Sequence, residues 1–224
     1  MPIHQRAVGA LKRRLVRAGR RPTRVKAGIA RGCTLLLDRR VDLQREFGLY
    51  ESETRSIVRA EVKPGSTVVD VGAGDGYEAL AYARLGATVY AFEPDAETVA
   101  RLRDNLSLNP GLAERVTVFP VSFPSRDPPP RADFAKVDVD GAELAVLENL
   151  VGIPTILIET HGAELEESCI TLLSRHGYQA KVIPNARWRV FYPEHRPIGF
   201  NRWLLARLPA SGTDVASDTG TRRG

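Results

Sequence analysis

From Ser66 onward, short apolar runs alternate with amphipathic stretches. The runs "TVVDV" (67–71), "TVYAFE" (88–93), "VTVFPV" (116–121), "FAKVDV" (134–139) and "TILIET" (155–160) are rich in Val and Ile and predict strands. Between most of them, "YEALAYARLG", "DAETVARLRDNLSLN", "AELAVLENLVG" and "LEESCITLLSRHG" carry apolar residues at helical spacing. Near-continuous apolar strands separated by amphipathic helices predict an α/β domain. Its sheet is doubly wound, mostly parallel, of about seven strands, with helices on both faces. "YQAKVI" (178–183) and "NRWLLARL" (201–208) are the expected closing strands, with "WRVFY" (188–192) as the competing choice.

Ahead of the first strand the pattern is weaker. Leu43, Phe47, Leu49 and Tyr50 are apolar anchors of a lead-in, residues 51–62 have helical spacing, and Pro64-Gly65 marks a turn. Residues 1–26 suit a short basic helix with Val8, Leu11 and Leu15 on one face, stopped by Pro22. The expected organisation is a basic extension over 1–37, one main domain over 38–208 and a disordered tail over 209–224, which has little to bury.

Charge sharpens this division. The chain has 224 residues and a net charge of +5. Ten Lys or Arg and no acid precede Asp38; the remainder carries 22 basic and 27 acidic residues. The basic character therefore belongs to the extension, and a weak contact of residues 1–26 with an anionic membrane surface or a protein partner is expected from it. No run of about 18 apolar residues predicts a membrane span. The two cysteines, Cys33 and Cys169, match no metal spacing and read as reduced thiols of a cytoplasmic protein.

The candidate chemistry starts at "VVDVGAGDGYEAL" (68–80), where three glycines follow a strand and precede a helix. Bare backbone there permits a tight turn and close approach of a ligand, at the carboxyl end of a strand where doubly wound sheets bind ligands. The spacing is D-x-G-x-G-x-G. It is neither the dinucleotide pattern G-x-G-x-x-G nor a phosphate loop ending in Gly-Lys-Ser/Thr. Asp70 would repel a pyrophosphate and suits a cationic group; Glu93, ending the second strand, suits a ribose. A cationic, phosphate-free nucleoside answers this description, and S-adenosylmethionine (SAM) is one.

"VVDVGAGDGYEAL", "VYAFEPDAETVARLRDNLSLN", "AKVDVDGAELAVLENL" and "ILIETHG" resemble class I SAM-dependent methyltransferases, and within them the FkbM-like family. The resemblance covers roughly residues 49–183. It implies a Rossmann-like fold and methyl transfer from SAM, commonly to a hydroxyl oxygen of a sugar or other small metabolite. It further implies that Asp70, Gly72 and Gly74 contact the methionine part, that Glu93 holds the ribose beside Pro94, and that Val121 and Ser122 adjoin the adenine. The link "SFPSRDPPPRAD" between the third and fourth strands is shorter than that family usually has, so part of a substrate cover is expected to be missing.

An oxygen acceptor must lose a proton, so a base is expected near the fourth and fifth strand ends. Asp138, Glu143 and His161 are the candidates, with Asp140 and Glu159 nearby. Each has a plainer alternative. Asp138 also suits a cap of the next helix, Asp140 and Glu143 a capping box, and His161 a bond to a loop carbonyl. Asp138, Asp140, Glu159 and His161 also suit a divalent cation, but they match the catechol-type motif poorly and no metal is expected. Nucleic acid is not an expected acceptor, because "DVDGAE" stands where base-methylating enzymes have an (N/D)PP(Y/F) block. The alternative to catalysis is a non-catalytic domain of this fold acting through its basic N-terminal helix.

Overall fold

The computed structural model describes residues 19–124, 131–186 and 201–209. A two-stranded antiparallel hairpin, β1 (Arg21–Arg24) and β2 (Thr34–Leu37), comes first. Helices α1 (Leu43–Glu46) and α2 (Arg55–Glu61) lead to β3 (Thr67–Val71), α3 (Tyr77–Arg84), β4 (Thr88–Phe92), α4 (Ala96–Ser107), α5 (Pro110–Ala113) and β5 (Val116–Phe119). Then follow β6 (Phe134–Val137), α6 (Glu143–Leu147), β7 (Thr155–Thr160), α7 (Ala163–Arg175), β8 (Gln179–Ile183) and β9 (Arg202–Arg207).

β3 to β9 form one seven-stranded sheet in the order β5-β4-β3-β6-β7-β9-β8. The first five strands in that order are parallel, and β9 runs antiparallel to both β7 and β8. The expected mostly parallel sheet is therefore present. The strand order reverses between β3 and β6, which opens a crevice at their carboxyl ends. Alternation divides the core: Val68 and Phe134 face α3, whereas Val69, Val71, Ala135 and Val137 face α6 and α7.

Three boundaries differ from expectation. The third strand stops at Phe119, before Val121, because Pro120 has no N–H for the ladder. The helix expected from residue 51 starts at Arg55, since Glu51 to Thr54 form a turn in which the Thr54 amide donates to the Glu51 carbonyl at 3.1 Å. Finally, within the basic extension expected over 1–37, the described residues 21–37 pack on the domain: Val25, Ile29, Ala30, Cys33, Leu35 and Leu37 are buried in the core beside α3 and α4. The helix expected within 1–26 and the tail lie largely outside the described residues, as does the competing strand 188–192. Among the described residues no helix is long and apolar enough to cross a membrane, and both Cys33 and Cys169 are buried free thiols.

The hairpin is fixed by two asparagines of the α4–α5 segment. Asn109 accepts from the Thr34 amide at 2.9 Å and donates to the Thr34 carbonyl at 2.6 Å. Asn105, 1% exposed, accepts from the Leu36 amide and donates to the Asp75 carbonyl, each at 2.8 Å. One amide group thus ties the hairpin to the glycine loop. Replacing it leaves two polar partners unsatisfied at a cost of about 1–3 kcal/mol each. Asn105→Leu is expected to destabilise the chain by about 3 kcal/mol, read as a lower urea midpoint at unchanged slope.

Candidate functional site

The loop after β3 is pinned to the neighbouring strand. The Gly72 and Ala73 amides donate to the Phe92 carbonyl at 2.9 and 3.0 Å. Gly72 has φ 77°, and a side-chain carbon there would stand 1.9 Å from the Asp138 carbonyl oxygen, so the end of β6 runs against it. Gly74 has φ 56°, and the same added carbon would meet open space. The two glycines therefore do different work: Gly72 admits backbone, and Gly74 leaves room over the crevice. Glu93 holds the loop from the other side. Its Oε2 accepts from the Gly74 amide and its Oε1 from the Asp95 amide, both at 3.0 Å. No side chain caps the first turn of α3, which follows the loop.

Under the loop lies a buried charge group. Asp70 and Lys136 are register partners on β3 and β6, so their side chains leave the sheet on one face. Both are almost fully buried, at 0% and 1% exposure. The Lys136 Nζ donates to the Gly72 carbonyl at 3.2 Å and to Asp138 Oδ2 at 3.4 Å, and stands 3.7 Å from Asp70 Oδ1. Neither Asp70 oxygen has a hydrogen-bond partner. Burial pushes the Asp70 carboxyl up, and Lys136 acts in the opposite direction. For Lys136 burial opposes the charge, but Asp138, Asp70, Glu78 and Glu51 outweigh it and hold the ammonium above its ordinary value.

The lead-in covers the amino end of α3. Arg45 pairs with Asp75 at 2.6 Å and lies over the rings of Tyr50 and Tyr77 at 4.7 and 5.8 Å. Glu78, in the first turn of α3, is buried with Oε1 unpartnered, and burial followed by Glu51 pushes its carboxyl well up. Glu51 is itself buried, at a left-handed φ of 45°.

The expected acid–base residues converge at the ends of β6 and β7. His161 Nδ1 is 2.7 Å from Glu143 Oε1, and Nε2 lies 3.7 Å from both Asp138 Oδ1 and Asp140 Oδ1. Glu143 and Glu159 are fully buried, and the Glu159 Oε1 accepts from Asn201 at 2.7 Å. The bond to Glu143 raises the His161 imidazole; burial lowers it, and Asp138 adds to the rise. The capping alternatives do not describe this geometry. The N-cap of α6 is Ala142 with no side-chain bond, and Glu143 turns to His161 rather than back to its own helix.

The other expected contacts sit on the rim. Pro94 and Ser122 are exposed and Val121 is 41% exposed, beyond the ends of β4 and β5. Lys136, Glu78, Arg45 and Asn201 did not figure in the sequence reading. Lys136 carried a usable signal, since a lysine inside a strand covered on both faces needs a buried counter-charge. Asn201 carried none, because its partner is 42 residues away.

The fold is that of the Rossmann-like class I methyltransferases. The chain resembles solved structures of precorrin-6y C5,15-methyltransferase from Geobacter metallireducens (TM-score 0.55, 16% identity, 70% of this chain and 89% of that one). It also resembles a SAM-dependent O-methyltransferase from Thermotoga maritima (0.55, 18%, 71% and 66%). A third is magnesium protoporphyrin IX methyltransferase from Synechocystis with bound SAM (0.51, 15%, 68% and 74%). In sequence it is 34% identical over 89 residues to 2-O-methyltransferase NoeI of Sinorhizobium fredii, covering 39% of this chain. It is 47% identical over 59 residues, 26% of this chain, to ribosomal protein L11 methyltransferase of Carboxydothermus hydrogenoformans. The matched stretches span 34% and 19% of those two proteins. No protein-family model matches the chain.

The two glycines separate experimentally. Gly72→Ala forces a carbon onto the Asp138 carbonyl and is expected to cost about 4 kcal/mol or more, or to prevent folding. Gly74→Ala meets no atom and should cost only the left-handed backbone term, about 1–2 kcal/mol. Thermal denaturation of the two variants measures the difference.

Proposed function

We propose that this chain is a SAM-dependent methyltransferase acting on a hydroxyl oxygen of a small metabolite or sugar. The observation that carries the reading is the pairing of buried Asp70, whose oxygens lack hydrogen-bond partners, with the open space above Gly74 at the reversal point of the sheet. A cationic nucleoside fits that pairing better than a phosphorylated one. The similarity to NoeI, whose name describes 2-O-methylation, and to a solved O-methyltransferase supports an oxygen acceptor.

SAM supplies a methyl group already activated by its sulfonium. This chain's residues have to bind, align and exclude water. Asp70 and the bare backbone of Gly72 to Gly74 receive the methionine portion, with Lys136 holding both Asp70 and the loop in place. Glu93 uses its two oxygens on backbone amides, which fixes the carboxylate in orientation and leaves further lone pairs for ribose hydroxyls. Pro94, Val121 and Ser122 border the adenine end. Asp138, Glu143 and His161 form the acceptor wall, which carries groups able to take the hydroxyl proton. Glu143 fixes the imidazole through Nδ1 and so presents Nε2 towards Asp138.

Calorimetry of the full chain with SAM tests this reading. A saturable one-site heat is expected; a folded chain that gives none defeats it. Glu93→Ala removes a charged acceptor and is expected to weaken binding about tenfold or more, with the melting curve checked in parallel. Incubation with SAM and a metabolite extract, followed by mass spectrometry, should reveal products heavier by one methyl group.

A further inference from the structure

We propose that Arg24, Arg31 and Arg84 form a binding site for the phosphate group of a small molecule, at the end of α3 remote from the glycine loop. The three line one cavity of about 330 Å³, together with Gly32, Cys33 and Leu112. Among the described residues no acid lines it. Arg24 ends β1, Arg31 lies in the turn of the hairpin and Arg84 ends α3, so three segments each bring one guanidinium.

Unanswered charge sets this cavity apart. Arg45, Arg101, Arg202 and Arg207 each pair with a carboxylate. Among the described residues the side chains of Arg24, Arg31 and Arg84 have neither an ion pair nor a hydrogen bond. Three like charges facing one space repel one another, and an anion between them removes that repulsion.

The backbone beneath the arginines is fixed. The Val25 amide donates to the Cys33 carbonyl at 2.9 Å, the Gly32 amide to the Val25 carbonyl at 2.8 Å and the Cys33 amide to the Ala30 carbonyl at 3.0 Å. Val25, Ala30 and Cys33 are buried, so the turn that carries Arg31 is anchored in the core. A side-chain carbon at Gly32 would stand 4.0 Å from the Arg24 guanidinium, which places the turn beside Arg24. Arg84 faces the same floor: burial pushes the Cys33 thiol up, and the charge of Arg84 acts against it. A frame held in advance lowers the ordering cost of binding.

The chemistry selects phosphate. A guanidinium presents a planar fork of N–H donors that matches phosphate oxygens. A phosphate monoester carries about 1.5 to 2 negative charges, and a diphosphate more, so either answers three guanidiniums better than a carboxylate does. Ligand pockets usually span about 300–1,000 Å³, and this cavity lies at the small end of that range. A concave space suits a small phosphorylated molecule better than the flat surface of a bilayer. That concavity, and the share taken by Arg31 and Arg84, separate the site from the surface contact expected of residues 1–26. The eight residues of α3 put the cavity roughly 12 Å along the helix from the glycine loop. The site therefore does not depend on the methyl-transfer reading.

Calorimetry of the full chain with inorganic phosphate, pyrophosphate and glucose 6-phosphate tests the site. One site per chain is expected. Tighter binding of pyrophosphate marks a free diphosphate ligand, and tighter binding of glucose 6-phosphate a phosphorylated metabolite; either supports the site. Arg24→Ala, Arg31→Ala and Arg84→Ala should each weaken binding about fivefold or more. Arg175→Ala, on α7 across the sheet, should change it less than about twofold. An equal loss in Arg175→Ala would mean diffuse attraction of anions and would overturn the site. So would unchanged binding in Arg31→Ala and Arg84→Ala variants with wild-type melting curves, or a folded wild-type chain that gives no heat with any of the three probes. Competition between pyrophosphate and SAM would put the anion in the crevice and overturn the site as well. Binding to phosphatidylserine vesicles or to an RNA oligomer, lost in Arg31→Ala and Arg84→Ala and unaccompanied by pyrophosphate binding, would make this a macromolecular contact and overturn the small-molecule site.

Discussion

An ammonium buried beneath the glycine loop is the constraint on which the crevice depends. Lys136 reaches the Gly72 carbonyl, the Asp70 carboxylate and Asp138, so one side chain connects β3, the loop after it and the end of β6. Such a group is costly to desolvate and tolerable only beside opposite charge; removing one partner of a buried pair typically costs about 3–5 kcal/mol. The consequence is geometric. Asp70 can remain buried without hydrogen bonds of its own because Lys136 stands beside it, and the loop cannot drift because its carbonyl is engaged. Close contact at Gly72 then sets the distance between the loop and the acidic end of β6.

The same loop is held from outside by the N-terminal hairpin. Asn105 links the Leu36 amide to the Asp75 carbonyl, and the Asp75 carboxylate pairs with Arg45 of the lead-in. Glu93 completes the enclosure through the Gly74 amide. Four separate segments thus converge on seven residues of chain, and three of them act on backbone groups. Three backbone groups of the loop are thus hydrogen-bonded by side chains of the protein itself, which lowers the ordering cost that a ligand would otherwise meet.

Much of the fold was legible because its signals are local. Val and Ile runs of four to six residues, amphipathic stretches between them and a turn at Pro64-Gly65 are each readable within a short window. The glycine loop with Asp70 and Glu93 was legible for the same reason. What escaped was long-range. Residues 21–37 looked like an extension because their charge is basic, yet Val25, Leu35 and Leu37 reach the core. Glu143 could be read either as a candidate base or as half of a capping box; what its neighbours in sequence did not reveal is its partner, His161, 18 residues on. The N-terminal hairpin's anchors, Asn105 and Asn109, look like ordinary polar positions of a helix end and reveal their role only against strands some 70 residues earlier.

Charge distribution separates the crevice from the rest of the molecule. Elsewhere, shielded carboxylates are answered by nearby cations: Glu46 by Lys26 and Arg39, Glu166 by Arg202, and Glu61 by Arg207. Around the crevice Asp70, Glu78, Asp138, Glu143 and Glu159 gather about Lys136, the one buried ammonium among the described residues, and about His161. A fold that needed these acids for packing alone would do better with apolar residues of similar size, since burying charge is unfavourable in itself. Within this group Asp70 lies beneath the glycine loop with both oxygens free of hydrogen bonds, and a cationic nucleoside set over that loop would add a second positive charge beside it.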